Sequence, residues 1–200
     1  MTAAAGKRER TKQANRAAIL AAARGVFAEL GYGAATVRDI VRRTDLASGT
    51  FYNYFPDKEA VFRAIVDETA AEALARTHVA RSRGQTTEAF VADGFRAYFS
   101  FLLEDPATFE LVRRNAGTIR AMFGGAAIGA GVAQLAEDLA EGVSAGLVPP
   151  HDTELMASAM VGTAFEVGVR MVERTGEPDV DGAVELCAAL FLGGLDRLGR

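Results

Sequence analysis

The chain has 200 residues, of which 50% are hydrophobic, and a net charge of −4. This allows one large domain or two smaller ones with a well-buried core. No run approaches about 18 uninterrupted apolar residues, and no apolar segment follows the basic N-terminus, so the sequence predicts neither a membrane span nor a secretory signal. The single cysteine, Cys187, excludes an intramolecular disulfide and favours a reducing compartment, so we expect a cytoplasmic protein.

The charge is unevenly distributed along the chain. Residues 1–63 contain eleven Lys and Arg against six Asp and Glu, a net charge of +5, whereas residues 64–200 carry −9. A basic head on an acidic body predicts that a polyanion binds at the N-terminal end. An ordinary solvated surface with some charge bias is the alternative.

Helical periodicity covers almost the whole chain, and no alternating β-branched run predicts a strand. The first helical pattern spans residues 15–30 and ends at Gly31, as helices often end at glycine. Thr36 predicts the start of a short second helix, because its hydroxyl can cap the helix and Asp39 resembles the acidic partner of a capping box.

A third short helix is predicted to begin near Ala47 or Ser48 and to stop before Pro56. Asp57 then caps a longer fourth helix, predicted to reach about Ala75. Further helical patterns follow, divided at Pro106 and at the Pro149-Pro150 pair, and the last two span about residues 153–174 and 180–198. The sequence therefore predicts an all-α protein.

The second and third helices have the proportions of a helix-turn-helix, whose second helix enters the major groove of DNA. Ser48, Gly49 and Thr50 are small enough to let the backbone approach base edges closely. Tyr52 and Tyr54 carry hydroxyls that can reach phosphates, and Asn53 can bond to a base or a phosphate. Phe51 and Phe55 are expected to pack inward.

The segment "TVRDIVRRTDLASGTFYNYFPDKEAVF", preceded by "AILAAARGVFAELGYGAAT", resembles the N-terminal domain of the TetR family of bacterial transcriptional repressors. The resemblance implies an all-α homodimer with a DNA-binding domain of three helices, here residues 1–59. It also implies a larger helical domain for ligand binding and dimerisation, here residues 60–200, joined through the long fourth helix.

The resemblance also assigns DNA-binding positions. Thr36 resembles the residue that contacts phosphate at the start of the second helix, and Lys58 resembles the family's phosphate-binding lysine. The positions in the recognition helix are Ser48, Gly49, Thr50, Tyr52, Asn53 and Tyr54.

Two positions depart from the family pattern. Asp45 stands where a turn glycine is usual, and Asp tolerates a left-handed backbone, so we expect the turn to form. Ala47 replaces a common serine, so the helix cap falls to Ser48 or is lost.

Basic residues outside the helix-turn-helix leave two interpretations open. Lys7, Arg8, Arg10 and Lys12 in the N-terminal arm either supplement DNA binding electrostatically or form a disordered solubilising tail. Arg42 and Arg43 either stabilise the helix dipole or contact phosphate.

The C-terminal half predicts a hydrophobic effector site, although helix cores have the same pattern and core packing is the default alternative. Bulky, adaptable side chains on several helices favour a pocket. The predicted effector residues are Phe95, Phe99, Asn115, Met122, Phe123, Met156, Met160 and Phe165. Arg96 and Arg114 are further candidate polar anchors.

The last two helices carry apolar residues at spacings of three and four, which in a two-fold dimer would form a four-helix bundle. The predicted seam comprises Met156, Met160, Thr163 and Val167 on one helix and Cys187, Leu190, Phe191, Gly194, Leu195 and Leu198 on the other. Cys187 is expected to be a small buried hydrophobe.

The sequence predicts no enzyme, no cofactor and no metal, since the spacing of His151 and Glu154 is weak evidence for a metal site. We expect a ligand-responsive regulator, a repressor released from operator DNA by a small hydrophobic molecule. The alternatives are a helical partner-binding protein without specific DNA binding, or an activator or corepressor-dependent regulator.

Replacing Tyr54 with phenylalanine should lower operator affinity by about 1 kcal/mol, the scale of one net hydrogen bond, without unfolding the protein. A competition binding assay measures this change. Unchanged affinity would remove Tyr54 from the DNA contacts.

Overall fold

The computed structural model describes residues 2–84, 86–122 and 126–198, which form helices and contain no strand. The all-α prediction is confirmed. The helices are α1 (Thr2–Ala34), α2 (Val37–Val41), α3 (Ser48–Tyr52), α4 (Lys58–Arg83), α5 (Thr87–Glu104), α6 (Pro106–Ala121), α7 (Ala126–Ser144), α8 (Thr153–Glu173) and α9 (Val180–Leu198).

The first helix is longer than predicted at its N-terminal side. It begins at Thr2, so the basic arm is helical, which does not fit the alternative of a disordered tail. Near its other end Gly31 has φ 75° and ψ 159°, a backbone conformation that only glycine adopts readily. The helix therefore breaks at Gly31, where the sequence predicted its end.

Local capping signals place the helix starts of the N-terminal domain. The Asp39 amide donates to Thr36 Oγ1 over 3.2 Å, and the Thr36 amide donates to Asp39 Oδ2 over 3.0 Å, which confirms the capping box. Asp57 Oδ1 accepts from the Ala60 amide over 2.8 Å and caps α4. The cap position of α3 is Ala47, which has no side-chain hydrogen bond, so that cap is lost.

The turn between α2 and α3 forms without a left-handed residue. Within the described part of the chain, every residue with a positive φ is a glycine. Asp45 therefore does not use the left-handed backbone for which we expected it to be suited.

Two apolar cores meet along α5. The first joins α1–α4 to α5, α6 and α8, and contains the fully buried rings of Phe27, Phe51 and Phe62. The second joins α5 to α7, α8 and α9 around Phe99 and Cys187. Since the first core contains residues from both halves of the chain, the N-terminal helices are packed directly on the later helices, chiefly where α1 lies on α6.

The long α4 continues to Arg83, two turns beyond the predicted end, and there it contacts α7. The Arg81 side chain is 7% exposed and donates from Nε and Nη2 to Asp138 Oδ2 over 3.1 and 2.7 Å. His78 and Gln134 also contact the Asp138 carboxylate. Burial by itself would raise the pKa of Asp138, but hydrogen bonding and charge from Arg81 hold that pKa below its usual value.

Helix α8 is long and apolar enough, by length and composition, to cross a membrane. The core helix of a soluble protein passes the same test. Here Ala157, Met160, Phe165 and Val169 of α8 are buried against neighbouring helices.

Replacing Asp138 with asparagine should lower the free energy of unfolding at pH 7 by about 3 kcal/mol, because Arg81 is left buried without its counter-charge. The lowered pKa means that the pair stabilises the fold above the ordinary aspartate pKa, and that this contribution is lost as pH falls through the folded-state value. Urea denaturation should show the difference from wild type shrinking below about pH 4.

Glu137→Gln is the matched control, because Glu137 is the exposed neighbour on the same helix. Its stability should follow that of the wild type at every pH. An Asp138→Asn deficit that stays constant from pH 7 down to pH 3 would contradict the ion-pair explanation.

Candidate DNA interface and internal cavity

Helix α3 presents a polar, exposed surface over an aromatic interior. Phe51 and Phe55 are buried, as expected, while Tyr52 is 57% exposed and stacks edge-on against the Phe51 ring. Asn53 is exposed, and Tyr54 is half-buried against the first core. The aromatic cluster therefore contains both core residues and surface residues, because a helix of five residues has few positions for either.

The start of α3 is open to solvent. Ser48 and Gly49 are exposed and Thr50 is half-buried. A Cβ atom added at Gly49 would meet no heavy atom within 4 Å, so the fold itself does not require glycine there. The absence of a side chain leaves the helix backbone accessible to a large partner.

The basic arm lies beside the end of α3. One open groove is lined by residues of α1 and by the two residues that follow α3, namely Lys7, Arg8, Thr11, Lys12, Asn53 and Tyr54. The structure therefore brings three arm cations next to two of the predicted DNA-binding side chains.

Lys58 has a structural role that the sequence did not reveal. Its ammonium donates to the carbonyls of Tyr32 and Ala35 over 2.8 and 3.0 Å, with Gly33 at 3.4 Å, and lies 4.6 Å from the Tyr32 ring centroid. These carbonyls are left unpaired where α1 ends, so Lys58 ties the start of α4 to the end of α1.

The other predicted phosphate-contacting residues differ in whether their side chains are already held by other residues of the chain. Thr36 is exposed, with its hydroxyl in the capping box. Arg43 forms a bidentate pair with Glu29 of α1, with distances of 2.8 and 2.6 Å, so it holds the end of α2 against α1. Arg42 is exposed.

A cavity of about 150 Å³ lies among α4, α5, α6, α7 and α8. Its walls are almost entirely apolar. Lining residues include Val66, Ala73, Leu74, Phe95, Leu111, Ile119, Leu135, Met160 and Phe165.

The predicted effector residues divide around this cavity. Phe95, Met160 and Phe165 line it, whereas Phe99, Met122 and Met156 pack elsewhere in the two cores. Phe123 lies outside the described residues. Sequence periodicity could not separate cavity-lining from core residues, because Phe95 and Phe99 lie one turn apart on the same face of α5, yet of the two only Phe95 lines the cavity.

Asn115 is a structural link and not part of the cavity wall. Its side chain is 2% exposed, accepts from the Tyr32 amide over 2.6 Å, and donates to the Phe27 and Leu111 carbonyls over 3.0 and 2.8 Å. These bonds join α6 to α1, so Asn115 has a structural role, and the role of ligand anchor stays a prediction.

The other polar anchors are also engaged. Arg96 pairs with Asp181 over 2.5 Å and Arg114 with Glu110 over 3.3 Å, and both arginines are on the exposed surface. Arg81 and Tyr98 also line the cavity, although neither was among the predicted effector residues. The helical spacing of Tyr98 with Phe95 places both on one face of α5.

The outer face of α8 and α9 carries exposed leucines. Leu155 is 69% exposed, Leu186 53%, Leu190 58% and Leu198 56%. Met160, Cys187 and Leu195 of the predicted seam are instead buried within the chain. Leu190 and Leu198 belong to the predicted seam, so the exposed apolar face includes part of that seam, while Met160 and Cys187 belong to the second core.

The described residues contain no group of three or more His, Cys, Asp or Glu side chains that could hold a metal ion. His151 Nδ1 lies 2.7 Å from the Pro149 carbonyl oxygen, which gives the ring a local structural contact.

The capped helix α2, the tight turn and the short, exposed helix α3 form a helix-turn-helix. This unit is packed on a helical body that contains a cavity.

The family model described as "Bacterial regulatory proteins, tetR family" matches residues 19–65. The HTH-type transcriptional regulator UidR of Escherichia coli is 39% identical over 64 residues, which cover 32% of this chain and 33% of that protein. The match thus spans about a third of the length of the curated relative.

Solved structures extend the likeness to the whole fold. The fatty acid degradation regulator FadR from Bacillus halodurans has a TM-score of 0.74 and 26% identity, covering 90% of this chain and 95% of that one. A TetR-family regulator from Pectobacterium atrosepticum has a TM-score of 0.69 and 26% identity, covering 92% and 94%. FadR from Bacillus subtilis, solved with stearoyl-CoA, shares the fold with a TM-score of 0.74 at 23% identity, covering 88% and 97%. Residues 19–65 therefore match the TetR-family model, and the whole chain shares its fold with a solved TetR-family regulator.

Replacing Lys58 with methionine should destabilise the protein by about 2 kcal/mol, because the end of α1 loses a charged hydrogen-bond donor. In a chain of this size that is a fall in melting temperature of roughly 4–8 °C, measurable by circular dichroism. Lys12→Met in the exposed arm is the control and should leave the melting temperature unchanged. Equal melting temperatures for Lys58→Met and wild type would show that Lys58 is not a structural cap.

Proposed function

We propose that this chain is a ligand-responsive DNA-binding transcriptional regulator, a repressor whose hold on its operator is released by a small molecule. The observation that carries the proposal is the exposed α3, whose polar surface lies within the TetR-family match and beside a basic arm. Residues 1–59 are the proposed DNA-binding unit, and residues 60–200 are the proposed ligand-binding and dimerisation unit.

Thr36 and Lys58 flank the proposed recognition helix, and the residues proposed to approach DNA from it are Ser48, Gly49, Thr50, Tyr52, Asn53 and Tyr54. Lys7, Arg8 and Lys12 add cations at the same surface, and cations near phosphates strengthen binding through counterion release. Lys58 is proposed to act mainly by fixing the end of α1, because its ammonium already contacts carbonyl oxygens.

Dimerisation is proposed through the outer face of α8 and α9. Exposed leucines lie on both helices, and Gly162 and Gly193 have open space where a Cβ would project. A two-fold arrangement would join four helices and present two copies of α3. For both copies to read DNA, their separation must be one helical turn, about 34–36 Å, or a multiple of it.

The cavity is the proposed effector site. Its wall includes α4, whose first residue Lys58 holds α1, and α6, whose Asn115 holds α1 from the other side. A ligand that displaced either helix would therefore shift the support of the DNA-binding helices. Release follows if the ligand binds that displaced form more tightly than the DNA-bound form.

The test is electrophoretic mobility shift with the DNA directly upstream of the gene, at two salt concentrations. A discrete shift that resists unrelated competitor DNA is expected. Gly49→Glu should abolish it, because a carboxylate would stand in open space on the face proposed to meet DNA, and the fold should tolerate the change.

Gly129→Glu on α7 is the matched control, since a Cβ there also meets no heavy atom within 4 Å. It should bind as the wild type does. Equal binding by Gly49→Glu and wild type would exclude α3 as the DNA-reading element. Absence of any specific shift would favour a partner-binding role or a corepressor requirement.

A further inference from the structure

Among the described residues that line the cavity, four have side-chain nitrogen or oxygen atoms: Thr69, Thr77, Arg81 and Tyr98. Two of these are satisfied locally. The Thr69 hydroxyl donates to the Ile65 carbonyl over 2.8 Å, and the Thr77 hydroxyl donates to the Leu74 carbonyl over 3.0 Å. Neither hydroxyl proton is left for a ligand.

The one charged side chain in the described wall is already neutralised. Arg81 is bound to Asp138, and both side chains are largely buried, at 7% and 12% exposure. Asp138 stays ionised because Arg81 lowers its pKa against the effect of burial. An anionic ligand would have to displace Asp138 or bring an unpaired charge into an apolar site, and both are costly.

Tyr98 is the fourth polar residue of the cavity wall. Among the described residues its hydroxyl has no hydrogen-bond partner. The ring is held between Phe99, with centroids 5.7 Å apart, and Gly168, where an added Cβ would lie 3.2 Å from a ring carbon. Burial raises the pKa of the phenol, so it remains a neutral donor at physiological pH.

The cavity volume favours a small ligand. An apolar cavity of about 150 Å³ is known to accept benzene. A long acyl chain bearing a coenzyme A group is several times larger and polyanionic. The described cavity therefore does not match the stearoyl-CoA bound by the Bacillus subtilis structural neighbour.

We propose that the effector is a neutral, apolar molecule about as large as a substituted benzene, with one acceptor atom to which the Tyr98 hydroxyl donates a hydrogen bond. This inference rests on the proposed function, because it takes the cavity as the effector site. Tyr98 would set specificity for the acceptor, and the apolar walls would supply most of the affinity.

The experiment is isothermal titration calorimetry of the full chain, without DNA, using probes of similar size. Acetophenone carries an acceptor, ethylbenzene lacks one, and benzoate is charged, while stearoyl-CoA tests the large ligand. Acetophenone should bind more tightly than either benzoate or stearoyl-CoA. Tyr98→Phe should weaken acetophenone five- to tenfold, the scale of one net hydrogen bond, and leave ethylbenzene unchanged.

Ser100→Ala, which removes an exposed hydroxyl from the same helix α5 but outside the cavity wall, is the matched control and should change neither affinity. Tighter binding of benzoate or stearoyl-CoA would overturn the neutral class. Equal losses for acetophenone and ethylbenzene in Tyr98→Phe would overturn the role of the hydroxyl, and no binding by any neutral probe would overturn the inference as a whole. Intact operator binding in that last case would show that the inference fails while DNA binding stands.

Discussion

The arrangement of the N-terminal helices depends on how the end of α1 is held. Gly31 breaks the helix there and leaves backbone groups without helical partners. Asn115 satisfies the Tyr32 amide from α6, and Lys58 satisfies the Tyr32 carbonyl from α4. Tyr32 is thus hydrogen-bonded through its backbone to both α6 and α4. Loss of either hydrogen bond would leave a buried or half-buried polar group unpaired, which costs more than the bond itself contributes.

This geometry connects the two proposed sites through short, rigid contacts. Helix α6 has Leu111 and Ile119 on the cavity wall and Asn115, between them in sequence, on the end of α1. Helix α4 has Lys58 at that same end and lines the cavity further along. Because packed interiors transmit displacements, a molecule inserted between α4 and α6 would act on α1 from both sides. The proposed switch therefore needs no element beyond these two helices.

The sequence predicted features that depend on neighbours in the chain. The Thr36–Asp39 capping box, the Asp57 cap and the inward Phe51 follow from spacing alone, and the structure confirms them. The structural contacts of Asn115 and Lys58 could not be predicted, because their partners lie 83 and 26 residues away. The predicted seam of α8 and α9 was too broad for a similar reason, since packing against other helices buries Met160, Cys187 and Leu195 within the chain. The DNA-binding roles taken from the family resemblance remain predictions.

The measurement that tests this account most directly compares wild type with Asn115→Ala in two experiments. Hydrogen exchange reports the Tyr32 amide, and mobility shift reports operator affinity, with circular dichroism confirming that the variant is folded. We expect faster exchange at Tyr32 and weaker operator binding by about tenfold, although Asn115 lies on α6, in the unit proposed for ligand binding. Faster exchange with unchanged operator affinity would contradict the claim that α6 sets the geometry of the proposed DNA-binding helices.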